Sequence, residues 1–169
     1  SRLFYNKKFP RMKYTRLTKE QLEEMHQEFI NFLAAQSITA EEWAQIKQEK
    51  PKVAEEELDV FSDLVWEGVL NQAKYLEHFS KQQMFLFKIG EAQMTLLGVK
   101  VENPTIDIRT KEGYAWLQDN LLNDQVQIYT STKAIVEDRN QDIFALIKQG
   151  ANITQGDLFQ YFEKLIEVE

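Results

Sequence analysis

A chain of 169 residues that is 43% hydrophobic, 28% charged and 12% aromatic can bury a real core without staples, and its composition excludes the collagen, disordered-tail and disulfide-scaffold classes. With no cysteine there is no thiol nucleophile, no sulfur-held zinc, no iron–sulfur cluster and no disulfide. The net charge of −7 is unevenly placed: residues 1–19 hold seven basic side chains and no acid, and residues 20–169 hold 13 basic against 27 acidic ones, so a basic arm precedes an acidic body that repels phosphate backbones.

Met12 reads as a native start with an extension, 1–11, in front of it, because helical patterning begins only at Thr18. Thr18 with Gln21 forms a capping box, and Leu22, Met25, Phe29 and Leu33 recur at helical spacing, which predicts helix one to about Gln36. Thr39 with Glu42 repeats the signature and opens a shorter helix through Trp43 and Ile46 to about Lys50. Pro51 then suits the first turn of a third helix with Val53, Leu58, Phe61, Val65 and Val69 as its apolar stripe. The period changes after residue 75. Tyr75–Phe79, Met84–Ile89 and Met94–Val101 read as strands, the last two joined by a turn at Gly90-Glu91 as in a hairpin.

Asn103-Pro104 breaks the pattern, and Thr105–Arg109 reads as a brief extended piece. Thr110 caps a helix through Tyr114, Leu117 and Leu121, Val126–Val136 reads as a strand, and Asp138–Gln149 as a helix closing on Gly150. Thr154 with Asp157 opens a last helix carrying Leu158, Phe159, Phe162 and Leu165. The expected organisation is a basic arm, 1–17, and one globular α+β domain, 18–169: three leading helices, a sheet of three or four strands including a hairpin, and two closing helices. Ala145–Ile153 resembles the end of an ankyrin repeat, but one partial copy makes no array.

The runs MKYTRLTKEQLEEMHQEFINFLAAQSITAEEWAQIK, LDVFSDLVWEGVL and LIKQGANITQGDLFQYFEKLI resemble a family of small proteins of unknown function found mainly in Bacteroidetes bacteria. The resemblance covers about residues 12–166 and implies no activity.

Chemistry-bearing patterns are sparse. Glu23 and His26 have the Glu-x-x-His spacing of carboxylate-bridged metal bundles, which need two such motifs and two further glutamates; a solvent-facing histidine on an acidic helix is the alternative, and no cofactor is expected. Ser1, Ser37, Ser62, Ser80 and Ser131 lie outside any Gly-x-Ser-x-Gly, and no phosphate-cradling glycine loop occurs. Asp59, Asp63 and Glu67 fall at i, i+4 and i+8 of the third helix, where like charges repel. They read as a solvated face or as a docking face for a basic partner or the chain's own arm. Phe159, Tyr161 and Phe162 spread around the last helix and suggest a contact surface. In the arm, Lys7, Lys8, Arg11, Lys13 and Arg16 alternate with rings and could contact RNA.

With no run of the roughly 18 to 20 apolar residues that a membrane span needs and no apolar signal core, the expected compartment is the cytoplasm. The expected function is a non-enzymatic protein-interaction module with an acidic docking face that suits a basic partner; homo-oligomers are compatible with it. A metal-dependent or carboxylate-based hydrolase is the first alternative, and an RNA-associated protein using the arm is the second.

Overall fold

The computed structural model describes residues 11–136 and 138–167. Among them are seven helices and a five-stranded antiparallel sheet, an α+β arrangement. The chain divides into two compact units, one up to Val69 and one from Leu70.

The first unit is helical. Its helices are α1 (Lys19–Glu24), α2 (His26–Ala35), α3 (Ala40–Glu49) and α4 (Pro51–Gln72) through Val69. The capping box forms as predicted: Gln21 N–H donates to Thr18 Oγ1 at 3.2 Å, and Thr18 N–H to Gln21 Oε1 at 2.9 Å. Predicted helix one is instead two helices, so four precede the sheet. Met25, at φ −101° and ψ 25°, interrupts it, yet Met25 N–H still reaches the Gln21 carbonyl and Phe29 N–H the Met25 carbonyl. The interruption is a distorted turn with no glycine or proline to announce it.

α2 ends in a Schellman motif. Ser37 takes the left-handed position at φ 60°, Ser37 N–H bonds the Ala34 carbonyl, and Ile38 N–H bonds the Leu33 carbonyl at 3.0 Å. The accompanying apolar contact of this motif is supplied by Leu33 and Ile38, both buried. They join Leu17, Phe29, Ile46, Ala54 and Phe61 in one core, with Trp43 and Trp66 packed against it. Phe29 meets Trp43 and Phe61 edge-on, at 5.2 and 5.1 Å between ring centres, the geometry that aromatic quadrupoles favour.

The second unit is built on the sheet, in the order β4-β3-β2-β1-β5: β1 (Tyr75–Phe79), β2 (Gln83–Ile89), β3 (Gln93–Val101), β4 (Val126–Ala134) and β5 (Asn152–Thr154), with α5 (Lys111–Asp119), α6 (Arg139–Lys148) and α7 (Asp157–Glu167). The hairpin at Gly90 forms, its Gly90 N–H donating to the Gln93 carbonyl. The fifth strand exceeds the expected three or four. At three residues β5 is too short to show a period, and it exists because Tyr75↔Thr154 through Glu77↔Asn152 pair it to β1. Thr154 therefore ends a strand rather than capping the last helix.

The expected extended piece at Thr105–Arg109 is a pair of turns. Asn103 Oδ1 accepts from Thr105 N–H and Asp107 Oδ1 from Arg109 N–H, side-chain bonds that replace a ladder. Register puts Met84, Leu86, Leu97 and Val99 on one face of the sheet, where they are buried with Leu117 of α5 and Phe159 and Phe162 of α7. On the other face Phe87, Met94 and Leu96 look across a shallow groove to Ala145 and Leu146 of α6. Gly150 follows α6 at φ 117°, as its place past a helix end predicts.

Candidate functional site

Three features of the two units merit description as sites. The first is the acidic stripe of α4. Because 59, 63 and 67 recur every four residues, their carboxylates line one helical face, and in the first unit that face carries residues 13–17. The Asp63 carboxylate accepts two backbone N–H groups, Lys13 at 2.7 Å and Tyr14 at 2.9 Å. Tyr14 Oη donates to Glu67, Lys13 Nζ lies 3.5 Å from Glu67, and Arg16 Nε donates to Asp59 at 2.6 Å. Leu17 is buried and its N–H donates to Ser62 Oγ at 3.0 Å. Burial and the adjacent Glu67 carboxylate push the Tyr14 phenol up to about 12. The basic segment that meets this stripe is thus the chain's own.

The second is a cleft of about 590 Å³ in the second unit, lined by Asn71, Lys74, Tyr75, Gly90, Arg139 and Asn140 among others. Its floor is a helix end held by a side chain. The Arg139 guanidinium donates to the Leu70 carbonyl at 2.9 Å and to the Ala73 carbonyl, and Asn140 Nδ2 donates to Asn71 Oδ1 at 2.6 Å. A cation on the last carbonyls of a helix also suits its dipole. The Asp138 carboxylate caps α6 by accepting from Asn140 and Gln141 N–H, so Asn71, Asp138, Arg139 and Asn140 serve the fold.

The third is the β4 edge of the sheet. β4 is a nine-residue strand bonded to β3 on one side, with no described strand on the other. Every residue from Tyr129 to Ala134 is exposed. The Tyr129 ring lies over Gly98 of β3, where a β-carbon would come within 2.2 Å of it.

The remaining residues singled out by sequence fall elsewhere. Glu23 and His26 are both exposed and lie on either side of the distorted turn at Met25. Among the described residues no group of three or more His, Asp or Glu is placed to hold a metal ion. Phe159 and Phe162 are 2% and 1% exposed. As i and i+3 of α7 they point into the core, which corrects their reading as contact residues, whereas Tyr161 is 45% exposed. Lys7 and Lys8 lie outside the described residues, and Arg11 is exposed. No helix among the described residues is long and apolar enough to cross a membrane. The β4 edge and the cleft were missed by sequence reasoning, since a strand's place in a sheet depends on pairing that no local pattern records.

A family model matches residues 12–167, the span that the sequence resemblance implies to within one residue. The chain belongs to the family of unknown function DUF6495. No curated protein and no solved structure matches it, so this DUF6495 member takes no activity from a relative.

Proposed function

We propose that this DUF6495 chain is a protein-interaction module that docks its partner on the outer edge of β4 rather than on the acidic stripe of α4. The observation that supports this is a nine-residue edge strand, exposed from Tyr129 to Ala134, with no described strand on its outer side. An edge of this length presents a row of backbone donors and acceptors, and strand addition satisfies them. The sequence VQIYTSTKA is rich in β-branched residues, which favour extended pairing, and one lysine is its only charge.

A second reading keeps the acidic stripe as the seat of a basic partner. Its support is that the Arg16–Asp59 pair is partly exposed, at 39% and 26%, so a competing cation can reach it. A partner there displaces residues 13–17. An RNA contact through Lys13 and Arg16 likewise requires both to leave their carboxylates. The test compares proteins captured by the wild type, Thr130→Pro and Asp63→Asn from lysate of the source cells. A partner lost with Thr130→Pro and kept with Asp63→Asn supports edge docking, and the reverse pattern supports the stripe.

A further inference from the structure

The alternation of hydrogen bonds along β4 constrains what can pair with its outer edge. Glu102 N–H donates to the Gln125 carbonyl and Ile135 N–H to the Ala92 carbonyl, at the two ends of the β3–β4 ladder. Antiparallel pairing alternates between residues bonded to the neighbour and residues turned away. The odd-numbered residues of this stretch therefore bond β3, and Ile128, Thr130, Thr132 and Ala134 direct their N–H and C=O groups outward.

We infer that the occupant of this edge is β4 of a second copy, paired antiparallel about a two-fold axis through Thr130. The inference rests on the edge-docking reading and names its partner. An odd-length strand, here nine residues, has a residue at its midpoint. Two-fold pairing over the full length then sets even residues against even ones, outward groups against outward groups. A strand of even length would set outward groups against inward ones. Ile128 pairs with Thr132 of the copy and Thr130 with its own counterpart, an interface in which each patch meets itself.

The side chains agree with this register. Tyr129 faces Ser131, Thr130 faces Thr130, a favourable cross-strand pair, and Gln127 faces Lys133, so the lysine never opposes its copy. No acidic residue occurs between Gln125 and Val136. On a chain of net charge −7, this is a strip along which two copies approach without carboxylate meeting carboxylate.

The test places charge on the axis. Light scattering of the full chain is expected to give twice 19.9 kDa for the wild type at high concentration. Thr130→Lys and Thr130→Glu, each setting like charges against each other, are expected to run as monomers, and their equimolar mixture is expected to recover the dimer with affinity at least tenfold above either alone. Thr130 is exposed, so both variants keep the wild-type circular dichroism, and Thr130→Val stays dimeric. A wild type that remains at 19.9 kDa at every concentration, or two charge variants that dimerise as the wild type does, overturns the inference. If that monomeric wild type still loses its captured partner on Thr130→Pro, the second copy is wrong and edge docking stands. If capture is indifferent to Thr130→Pro, the docking reading falls with it.

Discussion

Ser37 holds a left-handed backbone that costs an L-residue about 1–2 kcal/mol, at the position where Schellman motifs most often place glycine. The side chain has no described hydrogen bond to offset that cost, and the motif's two backbone bonds need only the conformation. Ser37→Gly is therefore expected to raise stability by about 0.5–1 kcal/mol, the strain relieved less the entropy glycine adds to the unfolded chain, read from urea denaturation. Tyr14 provides a pH signature. Its phenol sits near 10.0 when unfolded and about 12 in the fold, so the fold favours the neutral form. That contribution is fully present below pH 10 and is lost as pH rises from about 10 to about 12. Tyr14→Phe is expected to be less stable than wild type by about 1 kcal/mol at neutral pH. The gap should close across the alkaline window, in denaturation curves paired with a tyrosinate absorbance titration.

At the scale of elements, parity along β4 makes a prediction that does not depend on any partner. Thr130 N–H points away from β3, so Thr130→Pro removes no ladder bond and is tolerated as edge prolines are. Ser131 N–H belongs to the ladder, and Ser131→Pro is expected to cost about 2 kcal/mol more than Thr130→Pro because it strips a bond and leaves a carbonyl unmet. Equal losses in urea denaturation would show that the outward residues are wrongly assigned. Element starts were legible where one side chain decides them: Thr18, Thr39, Thr110 and Asp138 each accept a backbone N–H at a helix start. β5 was not legible, because its three residues acquire their conformation from β1, 75 to 79 positions earlier. The break at Met25 was not legible either, since the bonds on both sides of it persist. The stripe at Asp59, Asp63 and Glu67 was legible as an acidic helical face, read either as solvated or as a docking face. That Asp63 would grip two backbone N–H groups was not, because backbone donors leave no mark in residue type.

For the whole molecule, charge separates the two docking readings. Two copies of net charge −7 repel at long range, and the β4 pairing contains no ion pair. Raising salt from low to physiological and above screens the repulsion and is expected to tighten the dimer several-fold, measured by sedimentation. A basic partner on the α4 stripe would weaken instead under the same change. The α+β class followed from the order of periods along the chain, helical to residue 72, with strands from 75 onward interleaved with three further helices, whereas the pairing order of the strands depends on contacts between distant residues. The grip of Asp63 on Lys13 has a further consequence, in time rather than energy. The two residues are 50 positions apart, and at ribosomal rates of roughly 5–20 residues per second the carboxylate is polymerised roughly 2.5–10 s after the segment it will hold. The residues of 13–17 thus wait on the nascent chain for a helix not yet made, and the first-synthesised part of the described unit is among the last to reach its place.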